Sequence, residues 1–363
     1  MSRIMGFIHD RVEQAGHQVD YLCADDAPPY AQGRRARFGF PRFVRSRVLR
    51  AAQSGTPYDI VNVHEPSSAP VATRRDGLGS PSIVVTSHGL EERAWTLALE
   101  EGRLGRNGPR LLTRLTFPGT VLRQARAGLR AADHVLCLNN EDRELLTSGY
   151  GRPVTSVTRM TPGANKVFAE AARDRGYGTA TRILFAGTWR TNKGIADLVS
   201  AFTEVAERYG DAELYVLGAG AGTPPEVVES AFDRSVRSRV RCIEAGTEEE
   251  TAAVFAAAHI FLLPSLFEGT PLTIMEAMMS GLPIVTTATC GMKDVIDDQR
   301  NGLLIPIRSP RDVVGAVDAL VADAALRESL GRAAQSDALA RYTWDIVARP
   351  VLGVYEKLRG ATP

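Results

Sequence analysis

Short apolar runs with strand character alternate with helix-forming stretches along almost the whole chain, and this alternation restricts the fold more than any other feature. In the first half, Ile4, Ile8 and Val12 recur at four-residue spacing, which predicts a helix that Gly16 stops. Strands are expected over residues 17–23, 59–64, 82–88 and 134–138, with a weaker one over 154–160 and a helix over 141–148. In the second half, strands are expected over 182–186, 213–217, 240–243, 260–263, 283–286 and 302–305. Helices are expected there over 195–209, 248–258 and 271–280. Parallel strands need long crossovers, usually helical, so this rhythm predicts parallel sheets. Thr161-Pro162-Gly163 divides two such series, and 363 residues suit two domains. The expected class is therefore α/β, with two doubly wound Rossmann-like domains over 1–165 and 166–343 and a cleft between them. A last helix is expected from Trp344 to Leu358.

Composition removes several alternatives. Hydrophobic content of 44% and charged content of 23% describe an ordinary soluble globular protein. No apolar run approaches the ~20 residues of a membrane span, and the N-terminus lacks a signal-peptide pattern. Cys23, Cys137, Cys242 and Cys290 form no CxxC pair, so buried free thiols in a reducing compartment are expected. Charge is uneven. Residues 1–165 hold 22 Arg against 16 Asp plus Glu, for +6, while the rest holds 21 basic and 26 acidic residues, for −5.

Two acid-free stretches concentrate the positive charge. One carries Arg34, Arg35, Arg37, Arg42, Arg45, Arg47 and Arg50 among Phe38, Phe40 and Phe43. The other carries Arg103, Arg106, Arg110, Arg114, Arg123, Arg126 and Arg130 among Leu111, Leu112, Leu115 and Phe117. Such segments suit an anionic membrane surface or a phosphorylated acceptor, or else form a solvated face. No recognition motif accompanies them, so nucleic acid is not an expected partner.

The chemistry concentrates after the 260–263 run. There Glu268 and Glu276 stand eight residues apart around Gly269, Thr270, Pro271 and Leu272. Thr270 is an expected cap for a helix starting at Pro271. Two carboxylates would then flank a helix start whose free N–H groups favour an anion. A sugar nucleotide needs that combination: acids for its hydroxyls and a helix end for its diphosphate.

Glu-x7-Glu within Pro264-Ser265…Glu268-Gly269-x-Pro271-Leu272-x3-Glu276-Ala277 resembles the retaining glycosyltransferases of family 4, which have the GT-B fold. Gly187-Thr188-Trp189-Arg190-Thr191-Asn192-Lys193-Gly194 is similar to that family's phosphate-binding loop, and Ser87-His88-Gly89 to its N-domain His-Gly. The resemblance runs from about residue 5 to the C-terminus. It implies an acceptor-side domain over 1–165, to which the 344–363 helix returns, and a donor-binding domain over 166–343. It also implies a metal-independent transfer of a hexose-type sugar from a nucleoside diphosphate to a glycan or lipid-linked acceptor. No cofactor is implied, and the setting would be cytoplasmic, at the inner face of a membrane. A catalytically inactive sugar-nucleotide-binding scaffold and an epimerase on the same donor class are the alternatives.

By this resemblance Lys193 takes the diphosphate charge, Glu268 touches the transferred sugar, Glu276 takes the ribose hydroxyls, and His88 faces the reaction centre. Gly187, Thr188, Gly218, Gly220, Gly269, Thr270, Pro271 and Leu272 would line the donor. The family's arginine after the first glycine of the phosphate loop is Thr188 here, so Arg190 becomes the candidate second cation. His64, Glu91 and Arg93 are acceptor-side candidates, and Glu65 also ends a strand near them. The other histidines, His9, His17, His134 and His259, are expected to be structural. Gly218-Ala219-Gly220 lacks the third glycine of a dinucleotide fingerprint, which argues against NAD. Asp25-Asp26 and Asp297-Asp298 are the only adjacent Asp pairs, and both look like turns rather than a metal site. The family starts with a strand and a Gly-Gly loop that this chain lacks. Either Met1 is not the true start, the preferred expectation, or the N-domain is compromised.

Overall fold

Two parallel sheets organise the chain in its computed structural model, which describes residues 2–33, 36–178 and 181–360. One unit takes the residues up to Thr161 together with those from Val347 onward; the other is Pro162–Ile346.

The first unit is built on β1 (Ile60–His64), β2 (Ser82–Thr86), β3 (His134–Cys137) and β4 (Val157–Arg159), side by side in chain order. His64 of β1 pairs with Thr86 of β2 at the carboxyl end of the first ladder. Val61, Val63, Ile83, Val85, Val135 and Val157 fill the core with Leu129 and Leu146 from neighbouring helices. These β-branched residues pack well on a pleated surface.

Three local expectations change here. Residues 17–23 form no strand: Asp20 accepts from the Tyr58 hydroxyl and Tyr21 packs against His9, so side-chain contacts hold the segment in place of a ladder. The helix expected over 141–148 is Asn140–Glu144 followed by a wider π-type turn, Leu145–Gly149. The single closing helix is two, Trp344–Val347 and Arg349–Gly360, because Pro350 lacks the N–H that a continuous helix would use. The longer one lies on β1 and β4, where Asn62 Nδ2 donates to the Tyr355 hydroxyl at 2.6 Å.

The second unit carries β5 (Arg182–Ala186), β6 (Glu213–Leu217), β7 (Val240–Ile243), β8 (Ile260–Leu263), β9 (Ile284–Thr287) and β10 (Leu303–Ile305) in the order β10-β9-β8-β5-β6-β7. The winding reverses between β5 and β8. A sheet of this kind opens a crevice at the carboxyl ends of its strands where the order reverses. Ile183, Leu184, Phe185, Phe261, Leu262 and Leu263 are fully enclosed, which explains why the central strands read as unbroken apolar runs.

The arginine-rich stretches fold differently from each other. Arg34 and Arg35, and the side chain of Arg37, lie outside the described residues. In the helix Ala36–Gln53, Phe43 is buried with Ala27 and Ala31, and Phe40 packs on them. In the helix Leu111–Phe117 nothing is buried: Leu111, Leu112 and Leu115 are 70%, 73% and 72% exposed. Arg103, Arg110, Arg114 and Arg123 are exposed beside them. Among the described residues no helix is long and apolar enough to cross a membrane.

Candidate functional site

The reversal point of the second unit gathers the donor-type residues. The loop leaving β5 runs alongside the loop leaving β6: Gly187 N–H donates to Leu217 O at 3.0 Å, and Trp189 N–H to Ala219 O at 2.8 Å. Thr188 lies against Gly220, where an added Cβ would stand 3.5 Å from its Cγ2. Gly218 and Gly220 both have positive φ in that second loop. A tight turn, Thr191–Lys193, then leads into the helix Ile195–Arg208.

The next step joins this turn to the segment after β8. A Cβ on Gly194 would lie 1.8 Å from Pro264 O, so the two backbones touch. Leu266 N–H donates to Asn192 O at 2.7 Å, and Asn192 Nδ2 donates to Phe267 O at 3.3 Å. Lys193 Nζ consequently sits 2.6 Å from Glu268 Oε1, in an ion pair whose members are 13% and 14% exposed. Ser265 Oγ also donates to that oxygen, at 3.3 Å.

Glu268 stands three residues ahead of Pro271, which caps the helix Leu272–Met279. This corrects the expected start by one residue: Pro271, in place of Thr270, is the cap residue, keeps an extended backbone and makes no side-chain cap hydrogen bond. Thr270 packs instead against Gly291, whose N–H donates to Gly269 O at 2.8 Å. Glu276 is only 1% exposed, so it is not a solvated charge on the helix surface. Arg190 is exposed and forms no ion pair among the described residues, which leaves a second cation two residues beyond Thr188.

In the first unit, β1 ends at His64 and is followed by Glu65, and β2 leads into Ser87-His88. His64 Nδ1 and His88 Nε2 are 2.8 Å apart, and the rings stack with centroids 4.9 Å apart. Burial pushes His64 down to about 4; burial, then the neighbouring His64, pushes His88 to about 3. Both rings are therefore neutral at pH 7, one donating and the other accepting. Thr86 Oγ1 donates to Asn62 Oδ1 at 2.8 Å, on the same two strands.

The acceptor-side expectations fare unevenly. Arg93 is committed elsewhere: it pairs with Glu141, and with Asp142 Oδ1 at 2.6 Å. Glu91 opens the helix Glu91–Arg103, and its N–H donates to Glu65 Oε1 at 3.1 Å. The Glu65 carboxyl is turned inward, and the residue is 8% exposed. Sequence reading also missed Asn192, which staples the turn to the segment after β8; its place beside Lys193 in the turn was the only available signal.

Asp25 and Asp26 lie in a short turn, Ala24–Asp26, and Asp298 accepts from Leu304 N–H at 2.8 Å. No group of three His, Cys, Asp or Glu side chains gathers as a metal site among the described residues. The four cysteines are free thiols, with Cys137 and Cys290 buried and Cys23 and Cys242 half-buried.

Comparison with known proteins covers both units. Residues 7–165 match the family described as Glycosyltransferase Family 4, and residues 180–323 match Glycosyl transferases group 1. A D-inositol 3-phosphate glycosyltransferase of Corynebacterium kroppenstedtii is 31% identical over 56% of this chain and 47% of its own length. The chain thus spans about half the length of that relative. A phosphatidyl-myo-inositol mannosyltransferase of Mycobacterium leprae is 25% identical over 90% of this chain and 80% of its own. Among solved structures, sucrose-phosphate synthase from Thermosynechococcus elongatus superposes with a TM-score of 0.74 at 21% identity, covering 93% of this chain and 82% of its own. Anabaena HepE in complex with UDP-glucose gives 0.68 at 15%, covering 96% and 88%. The fold is GT-B, and with one domain match on each unit the chain belongs to the group 1/family 4 glycosyltransferases.

Proposed function

We propose that the chain is a retaining, metal-independent hexosyltransferase. It takes a hexose-type sugar from a nucleoside diphosphate held by the second unit and passes it to a glycan or lipid-linked acceptor on the cytoplasmic face of a membrane. The observation that carries this reading is the 2.6 Å Lys193–Glu268 pair, set between a glycine-lined turn and a helix start. Breaking the anomeric bond leaves concentrated charge on the departing diphosphate, and stabilising such charge is usually the largest catalytic contribution. Lys193 supplies a compact cation, and the N–H groups at the start of Leu272–Met279 supply the helix-end field. Arg190 is the second cation. Glu268 orients Lys193 and meets the transferred sugar; Glu276 takes the ribose hydroxyls. Gly187, Thr188, Gly218, Gly220, Gly269 and Thr270 let backbone approach the donor. His88, with His64 and Glu91 near it, serves the acceptor side.

The membrane part of the reading rests on the helix Leu111–Phe117. Three leucines 70–73% exposed beside exposed arginines suit an interface of acyl chains and anionic headgroups. The name of the Mycobacterium leprae relative, a phosphatidyl-inositol mannosyltransferase, agrees with a lipid acceptor.

Hydrolysis of a panel of UDP-, GDP- and ADP-hexoses, with wild type and Lys193→Ala side by side, tests the reading. Wild-type turnover on one donor, lost in the variant by a factor of about 10² or more, is the expected result. Equal background turnover across the panel would overturn it in favour of an inactive sugar-nucleotide-binding scaffold.

A further inference from the structure

Glu65 is a buried acid that the donor chemistry does not use. It lies one residue beyond β1, and its own N–H donates to Thr86 O at 3.0 Å, which fixes its backbone to β2. Its side chain spans the gap to the next element: Oε1 accepts the Glu91 N–H at 3.1 Å, at the first residue of the helix Glu91–Arg103. Oε2 is enclosed and has no hydrogen bond of good geometry. The Ser87 hydroxyl, also enclosed, is near enough to bias the ionisation of the carboxyl without meeting it in an aligned bond.

What this carboxyl holds is the turn Ser87-His88-Gly89-Leu90-Glu91. The turn passes through Gly89 at φ 125°, a conformation that side chains other than glycine's rarely adopt. Its far end has two anchors. Leu90 N–H donates to Asp142 Oδ2 at 3.3 Å, and Glu91 N–H to Glu65. Asp142 has Arg93 at 2.6 Å as its counter-ion, whereas Glu65 forms no ion pair among the described residues. The near end of the turn carries His88, paired with His64, which precedes Glu65 in the chain.

We propose that Glu65 is a positioning residue for His88: its enclosed carboxyl clamps the 87–91 turn, so that His88 keeps Nε2 on His64 and leaves Nδ1 as the nitrogen free for a ligand. The clamp rests on the reading of His88 as a site residue, but it is a property of the first unit alone. It works as an uncharged acid at neutral pH. The groups facing Glu65 explain this: Glu91 and Asp142 repel an anion, Ser87 and the Glu91 N–H favour it, and Tyr150 stands in the same surroundings. Burial outweighs them and pushes Glu65 up to about 8. A neutral carboxyl still accepts the Glu91 N–H through one oxygen and offers a proton from the other.

The test uses the full chain labelled with 15N-histidine, in which the ring-nitrogen signals of His88 report its tautomer. Hydrolysis of the hexose nucleotide best used by the wild type is followed in parallel from pH 6 to 9. Glu65→Gln, an uncharged isostere, is expected to keep the His88 signals and hydrolysis at pH 7 within about twofold, while losing any step near pH 8. Glu65→Ala is expected to move the His88 signals and lower kcat about tenfold or more, with the donor KM nearly unchanged. If Glu65→Ala does not fold, Glu65→Asp replaces it, since the shorter side chain withdraws the oxygen from Glu91. Unmoved His88 signals in the truncated variant, or equal damage from Gln and Ala, would overturn the clamp. A wild type that hydrolyses no donor would defeat the transferase reading, yet the nitrogen signals would still decide on Glu65.

Discussion

At the residue scale, the loops after β5 and β8 depend on contacts with no slack. Lys193 reaches Glu268 at 2.6 Å only because Gly194 lets the turn lie on Pro264. Gly194→Ala places a Cβ 1.8 Å from Pro264 O and does so at φ 70°. Both effects act against the fold, and a loss of roughly 2–4 kcal/mol is expected, read from the urea midpoint. Lys193→Arg, by contrast, should fold normally and still lose most turnover: a planar guanidinium does not replace a compact ammonium at an oxygen cluster. The turn that carries Lys193 was legible in the sequence because its motif is local, within residues 187–194. Glu65 and Arg93 were not. The Glu65 partner lies 26 residues away, and Arg93 meets acids 48 and 49 residues away. A charged residue after a strand looks the same in a sequence whether it faces solvent or is closed in by a helix that arrives later.

At the element scale, the strands were the most readable parts, because an enclosed strand must be apolar throughout. β5, β6, β7 and β8 have the bounds that their apolar runs predict. Residues 17–23 misled for the complementary reason: alternation is necessary for a half-buried strand but not sufficient, and this segment joins no ladder although β1 is an edge of its sheet. The two arginine-rich stretches both set seven arginines among apolar residues in sequence, and packing separates them. Phe43 turns into the first unit, while Leu111, Leu112 and Leu115 face outward. A Leu111→Ser/Leu112→Ser/Leu115→Ser variant removes apolar surface that contributes nothing to the core. Its melting temperature should stay within about 2 °C of wild type, since surface changes are usually within ±0.5 kcal/mol. Its binding to vesicles rich in anionic lipid should fall tenfold or more, because each leucine offers up to ~2 kcal/mol of buried apolar surface. Raising salt should weaken wild-type binding only in part, since the arginine contribution is screened and the leucine contribution is not. Unchanged vesicle binding in the variant would return this helix to being a solvated face.

At the scale of the whole molecule, two sets of buried groups set the dependence of stability on pH, and they act in opposite directions. His64, His134 and His259 are pushed down from 6.5 to about 4, and His88 to about 3, in each case chiefly by burial. The unfolded chain binds protons that these folded rings refuse. Their contribution is therefore complete above pH 6.5 and is lost as pH falls through 4 and 3. Glu92, held down chiefly by its hydrogen bond with Arg126, acts in the same sense further into acid. Glu65 is the reverse case, raised from 4.5 to about 8 by burial. The folded chain keeps a proton that the unfolded chain releases, so its contribution is complete below 4.5 and is lost as pH rises to 8. Asp142, raised chiefly by burial, shares that sense. Between pH 4.5 and 6.5 four histidines oppose one glutamate and one aspartate, so stability should climb. From 6.5 to 8 the histidine contribution to the slope fades while Glu65 still spans the interval, so stability should decline. Melting temperatures measured from pH 4 to 9 should pass through a maximum near 6.5. Glu65→Gln should flatten the alkaline decline and leave the acid limb in place, because it deletes the Glu65 titration that reaches to about 8 in the folded state. The same decline in both proteins would mean that Glu65 is already ionised at neutral pH, and that the anchor of the 87–91 turn carries a charge.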